Sequence, residues 1–477
     1  MNIFRKLQQL PQSVKASIAF AFASFVASGI SYIVTPIYTR LLLPEEYGQT
    51  SVFMTWLEIF GIMAMFCLSY GVFNNGMVDY PEKRDEYSFS MLILSNIITL
   101  CFSGILLCLY PLIAEWLKLD FAFIVLMCIV FMVQPAYNFW KAKQRYELKY
   151  KLTVCVSVCA SILSPLTAIV CILANPSAPV YGRIFGAEIA LICVYVVFYI
   201  VLAVKSKCKI NTTYWKAALL FNLPLIPHYL SVYLLGSSDK LMISWLVGDA
   251  QTAYYSVAHS VAAVVTIVWG AINSSLIPYT YEKCKKEDFE PISRVTLPLL
   301  TLFATVCVLL IMLAPEVVAV MATADYMEAI YAIPPIVGGV FFQVQYYIYA
   351  NVVYYYKKPK YVMIASLTST VLNIVLNYIF ISQFGYLAAG YTTIFCYFVQ
   401  ATIDYFAMRK VVGRNIYNMR YIGVLSLAVV LIALFSNLIY GYAIVRYIVL
   451  AVIVVVCILL RKKIIGLFTT MKGEKKS

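Results

Sequence analysis

The sequence predicts an all-α polytopic membrane protein of about fourteen transmembrane helices, in two six-helix lobes followed by two C-terminal helices. Three observations carry this expectation. The 477-residue chain is 63% hydrophobic and only 12% charged, with a mean hydropathy of +0.85, whereas a soluble domain is about 25% charged. Apolar windows of about 20 residues, enough to cross a bilayer, recur along the whole length. Basic residues collect in alternate connections between these windows.

The windows fall at 16–40, 48–73, 88–114, 119–140, 152–174, 180–204, 217–247, 252–280, 294–315, 330–356, 361–382, 386–408, 421–440 and 443–460. The basic residues before the first window are followed by an apolar run to about Thr39 with no small-residue cleavage site, so the first window reads as a retained span. With the N-terminus cytoplasmic, the inner segments hold 31 of the 36 Lys and Arg residues, leaving Arg40, Lys118, Arg183, Lys240 and Arg446. A missed or invented span in the middle would put every later loop on the wrong side. The alternation therefore supports fourteen spans with both termini cytoplasmic.

The net charge of +14 is then a topology signal and a complement to anionic lipid headgroups, and it calls for no nucleic acid. No connection exceeds about 15 residues and no phosphate-binding loop is present, so a nucleotide-binding module has no place. Of thirteen cysteines, eleven lie in apolar spans and only Cys208 and Cys284 in loops, with no Cys-x-x-Cys pair. They read as small buried hydrophobes, neither a disulfide framework nor a metal cluster. Pairing Ser51-Val52 with Ser256-Val257 suggests an internal repeat at an offset of 205. The expected organisation is an N-terminal lobe over 1–205 (spans 1–6), a C-terminal lobe over 206–410 (spans 7–12), and 411–477 holding the last two spans and a basic cytoplasmic tail. Parallel halves of this kind suit alternating access.

Two stretches carry a family resemblance. Thr35-Pro36-Ile37-Tyr38-Thr39-Arg40-Leu41-Leu42-Leu43-Pro44-Glu45-Glu46-Tyr47-Gly48 resembles the signature of bacterial polysaccharide-repeat (O-antigen and capsule) flippases of the multidrug/oligosaccharidyl-lipid/polysaccharide exporter superfamily. Leu223-Pro224-Leu225-Ile226-Pro227-His228 with Ser238-Asp239-Lys240 is similar to the seventh span of the same family, although Ala253 stands where a glycine is usual. The resemblance implies an inner-membrane transporter, not an enzyme. It would move undecaprenyl-pyrophosphate-linked oligosaccharide from the cytoplasmic to the periplasmic leaflet for surface polysaccharide synthesis, with a repeat-unit polymerase and a chain-length regulator as candidate partners. No cofactor is implied beyond a coupling cation, H+ or Na+. A cation-coupled drug exporter and a peptidoglycan-precursor flippase are rivals of the same fold. A membrane glycosyltransferase or polymerase is disfavoured because no outer loop is large enough to carry catalytic residues.

Such a substrate makes physical demands. Its pyrophosphate calls for fixed cations, for which Arg offers a bidentate fork and Lys a point charge. The candidates at or within spans are Arg40, Arg183 and Lys240, all in the outer half, with Arg446 read as a side chain snorkelling to the headgroups. Asn373 and Asn377, four residues apart, share one face of the eleventh span, and Asn222 and Lys240 share a face of the seventh. These amides either line a sugar path or bind helices together.

Among the acids, Glu58 lies near the bilayer midplane, where an ionisable group costs roughly 2.5–3.5 kcal/mol and defaults to a coupling role. Asp239 is a second coupling candidate. Asp404, five residues before Arg409, reads as an interfacial ion pair. His228 reads as a hydrogen-bonded imidazole, with proton transfer the alternative, and Pro224 and Pro227 as a kink of use to a gate. Neither histidine has metal-ligand company.

Overall fold

The computed structural model describes residues 12–453 and 455, and no strand occurs among them. Arg5, Lys6, the end of the fourteenth span and the basic tail from Arg461 lie outside the described residues. The chain forms two compact units that divide between Tyr233 and Leu234, inside the seventh span, so the described residues 206–233 pack with the first unit.

The first unit contains α1 (Gln12–Leu41), α2 (Pro44–Ala64), α3 (Gly71–Asp79), α4 (Arg84–Leu117), α5 (Phe121–Tyr146), α6 (Tyr150–Ala174), α7 (Pro179–Ser206) and α8 (Thr213–Asn222), and α9 (Ile226–Leu246) begins in it. The second holds the rest of α9, then α10 (Asp249–Lys285), α11 (Glu290–Met312), α12 (Ala314–Met321), α13 (Ile333–Tyr355), α14 (Pro359–Phe384), α15 (Leu387–Val412), α16 (Met419–Phe435) and α17 (Ala443–Ile453). Ten helices among the described residues are long and apolar enough to cross a membrane, and eleven when α8 and α9 are taken as one bent span. Over their described residues, the fourteen windows each fall on a helix or a broken pair. The 37 residues of α10 rise about 55 Å, so its ends reach beyond a hydrocarbon core of about 30 Å.

Two spans are interrupted. The seventh bends by 47° between Asn222 and Ile226, around Pro224, as the loss of a backbone donor predicts. The second, expected to run unbroken through 48–73, stops at Ala64 and restarts at Gly71 because Phe66 and Cys67 turn left-handed, with φ of 55° and 49°. The breaks meet within the first unit. Asn222 Nδ2 donates to Phe66 O at 3.0 Å, and a Cβ on Gly71 would stand 2.9 Å from the Phe221 ring.

Small residues set the closest helix contact of the first unit. A Cβ added to Gly182 would lie 2.9 Å from Ile172 N, and one on Gly186 would lie 2.8 Å from Ala168 Cα. This Gly-x-x-x-Gly stripe lets the α7 backbone rest on α6. In the second unit α13 is the core, with 89% of its apolar window buried, and Gly390 of α15 abuts Pro335 of α13. Arg446 does not snorkel. It is 4% exposed and donates from Nη1 to Glu316 Oε2 at 2.7 Å and to Met312 O at 2.9 Å.

Two consequences are measurable. Gly186→Val forces α6 and α7 apart and costs about 1–3 kcal/mol of overpacking, so the purified protein melts at a lower temperature; an unchanged melting point would contradict the close approach. The hydrogen bond from Arg446 holds the Glu316 carboxyl below the ordinary glutamate value, so the pair's contribution is complete above about pH 4.3 and fades as pH falls through the bound-state value. The melting temperatures of the native protein and Arg446→Gln therefore differ at neutral pH and converge in acid.

Candidate functional site

The first unit encloses a cavity of about 680 Å³, within the range of small-ligand sites. Two polar stripes line it. Ser24, Ser28, Ser31 and Thr35 recur at helical spacing on α1, and Thr153, Ser157, Ser161 and Ser164 do the same on α6. Several of these hydroxyls donate to the preceding turn, as Thr35 does to Ser31 O at 2.9 Å and Ser161 to Ser157 O at 2.8 Å. A hydroxyl satisfied in this way keeps an acceptor lone pair for a ligand.

Arg183 stands at one end. It is 9% exposed, donates to Thr50 Oγ1, and places its guanidinium 4.3 Å from the Tyr38 ring centre and 4.4 Å from that of Tyr47. Desolvated cation–π contacts of this kind are worth about 2 kcal/mol, and they hold the planar group without neutralising it. The motif that ends α1 explains the position of these rings. Pro44 occupies the first turn of α2, and Glu46 Oε2 accepts from Leu43 N at 2.8 Å, so the sharp helix start brings Tyr47 back toward Tyr38.

Lys141 and Arg145 stand at the other end, Lys141 lying 4.4 Å from the Tyr137 ring centre. The start of α7 meets the start of α5 through Tyr181 and Phe123, and Phe198 meets Trp140, so the two helices run parallel. The fifteen residues from Arg183 to Phe198 put about 22 Å between the two cationic levels. Tyr137 and Tyr195, stacked at 5.6 Å, lie between them.

The second unit holds a different constellation. Asp239, 2% exposed, accepts from Asn377 Nδ2 at 2.6 Å, from Thr393 Oγ1 at 2.9 Å and from the Tyr255 hydroxyl. Asn373 Oδ1 accepts from Asn377 Nδ2 and Ser238 Oγ, both at 3.2 Å, and Thr392 donates to Asn377 Oδ1. Four helices, α9, α10, α14 and α15, thus converge on one carboxylate, surrounding it with oxygen and amide groups.

The sequence-derived candidates distribute as follows. Arg183 lines the cavity. Arg40 is at the exposed end of α1, donating to Pro36 O at 2.7 Å, and is not among the cavity walls. Asn222, 1% exposed, spends its amide on the helix break and is likewise outside the walls. Glu58 opens on a small pocket beside that break, with Cys67, Tyr70 and Asn138, and is an electrostatic neighbour of the buried Glu188. Asn373, Asn377 and Asp239 come together in the second unit. Lys240 follows in sequence and is an electrostatic neighbour of His259. His228 is half-buried in the first turns of α9, its ring against Tyr229. Pro224 lies in the turn before α9 and Pro227 at its second residue.

Asp404 corrects an expectation. It is fully buried, and both carboxylate oxygens lack a hydrogen-bond partner, so it forms no interfacial ion pair. Sequence reasoning missed Tyr38, Tyr47, Lys141, Arg145, Tyr255, Thr392 and Thr393. The serine spacing on α1 and α6 was the available signal for the cavity.

Membrane-spanning helices in two units, one holding a polar cationic cavity and the other a buried, hydrogen-bonded carboxylate, define a polytopic membrane protein. The chain belongs to the family described as polysaccharide biosynthesis protein, whose model matches residues 37–331. It is the family that the two motifs resemble. Protein 1 of the Lsg locus of Haemophilus influenzae is 26% identical over 156 residues, 32% of this chain. That match spans 39% of the relative's own length. Among solved structures, the lipid II flippase MurJ in an inward closed conformation superposes with a TM-score of 0.68 at 14% identity, over 94% of this chain and 100% of that one. An inward-facing multidrug resistance MATE family transporter of the MOP superfamily gives 0.61 at 15%, over 81% and 94%. At these identities the structural likeness concerns the fold.

The tie between the two breaks makes a prediction. Asn222→Ala leaves Phe66 O buried without its donor and costs about 1–3 kcal/mol. Hydrogen exchange over residues 66–71 accelerates while α13 is unaffected; unaltered exchange there would show that the amide does not hold the break.

Proposed function

We propose that the protein is a flippase that carries undecaprenyl-pyrophosphate-linked oligosaccharide repeat units from the cytoplasmic to the periplasmic leaflet of the inner membrane by alternating access, for surface polysaccharide such as O-antigen or capsule. The observation that carries this reading is the cavity of the first unit, with cations at both levels and hydroxyls and tyrosines between them. The charge alternation supports cytoplasmic termini, which puts Lys141 and Arg145 at the cytoplasmic level and Arg183 at the outer one. A pyrophosphate entering from the cytoplasm meets Lys141 and Arg145 first and is passed to Arg183. Serine hydroxyls and tyrosine faces suit sugars, while the isoprenoid tail stays in lipid. Arg40 and Lys240 remain candidates for phosphate contacts outside this cavity. A repeat-unit polymerase and a chain-length regulator are the proposed downstream partners.

Energy coupling is assigned to Asp239. It is a buried carboxylate inside a membrane-spanning helix, the kind of group that relays protons or binds a coupling cation, here held by hydrogen bonds donated by Asn377, Thr393 and Tyr255; H+ or Na+ is the proposed coupling ion. Glu58, beside the break in the second span, is the second candidate for coupling. The bend at Pro224 and Pro227, with His228 beside it, is the proposed gate.

In cells lacking the chromosomal gene, Arg183→Ala and Lys141→Ala each reduce surface polysaccharide at least tenfold at unchanged protein abundance, and Asp239→Asn removes the dependence on external Na+ or pH. Full polysaccharide from the double variant Arg183→Ala/Lys141→Ala would end the cavity reading. Rescue of cell-wall synthesis in a strain depleted of its peptidoglycan-precursor flippase would instead favour that substrate, and resistance to toxic organic cations a drug exporter.

A further inference from the structure

The Asp239 cluster continues as a buried polar seam between α14 and α15. On α14, Asn377, Asn373, Ser369 and Ser366 recur at spacings of three and four, each no more than 1% exposed. On α15, Thr393, Tyr397, Gln400 and Asp404 do the same, each 7% exposed or less. The helices are antiparallel, and the bond from Asn373 to Thr393 sets Ser369 opposite Tyr397 and Ser366 opposite Gln400. The seam runs about 16 Å from Thr393 to Asp404. It ends one turn short of Arg409 and Lys410, the basic end of α15. Its upper part is satisfied. Its lower part is not, because Ser369 Oγ, Gln400 Oε1 and both oxygens of Asp404 have no partner.

These orphans are mostly acceptors, so what the site lacks is a donor. A proton on Asp404 supplies one: the acid O–H is one turn from Gln400 Oε1, at the spacing where helical side chains meet, and it satisfies two orphans at once. Among the described residues no cation pairs with Asp404. Around Asp404, α13 contributes the tyrosines Tyr346, beside Tyr397, and Tyr349, against Tyr405. Lys360 and Tyr361 are the titratable residues of α14 at that end, Tyr361 lying against Lys410. Arg420 begins α16, and Arg409 and Lys410 end α15; none of these pairs with Asp404.

We infer that Asp404 is a proton-binding site, and that the seam through Gln400, Tyr397 and Thr393 is the route by which protons exchange between the aqueous phase at the basic end of α15 and Asp239. Loading adds one proton from water to the Asp404 carboxylate, and unloading returns it. This rests on the coupling role proposed for Asp239.

Infrared spectroscopy of the full-length protein in lipid nanodiscs tests it. Asp404→Asn removes one carboxylic-acid band that Asp239→Asn retains, and both Asp404→Asn and Gln400→Leu slow deuterium exchange of the band lost in Asp239→Asn at least tenfold. Asp404→Leu, which fills the site with an apolar side chain, keeps or raises the melting temperature and shows the same slow exchange, separating the route from folding. A spectrum unchanged in Asp404→Asn overturns the proton assignment, and undiminished exchange overturns the route. Normal surface polysaccharide in cells carrying Asp239→Asn, with the Asp404 band intact, would remove the coupling reading and leave the proton site standing.

Discussion

A hydrocarbon core offers no water to a stranded polar group, and this constraint shapes both units. At several interruptions and buried charges a partner comes from another helix. The carbonyl freed at Phe66 is met by Asn222 from the next interrupted span. Asp239 gathers donors from three other helices, and Arg446 is held by Glu316 and a backbone carbonyl from 130 or more residues away. A missing partner therefore carries information. Asp404 stands out because the rest of the second unit satisfies its buried acid so thoroughly.

The same constraint explains what could be read in advance. Span positions follow from hydropathy and the placement of basic residues, which respond to the membrane itself and need no knowledge of packing. The bend at Pro224 was legible because proline removes a donor whatever surrounds it. The break at Met65–Tyr70 was not, since the left-handed residues are Phe66 and Cys67 in an apolar stretch without glycine, proline or asparagine at the turn. What stabilises it lies about 156 residues away, and no local pattern reports that. The division at Tyr233 is equally invisible, because it falls inside a continuous helix.

Site residues divide along similar lines. Arg183 was conspicuous as a charge within a span, but its partners Tyr38 and Tyr47 were two among 39 tyrosines, and nothing local marks which of these turn toward a guanidinium. Lys141 and Arg145 were absorbed into the topology count, although a basic residue at the end of a span can serve orientation and line a cavity at once. Asp404 was misread through linear distance. Five residues at 100° each place Arg409 about 140° around the helix from it, so the charge nearest in sequence faces away while the acid points into the seam.

The two units treat charge differently. In the first, rings and hydroxyls engage the cavity cations among the described residues: Arg183 sits between tyrosines and Lys141 over Tyr137, contacts that orient a cation and leave its positive field to act on an anion. The second unit holds Asp239 among groups that donate to it, Asn377, Thr393 and Tyr255, and leaves Asp404 without a hydrogen-bond partner. A carboxylate beside Arg183 would pair with it and cancel its attraction for an anion.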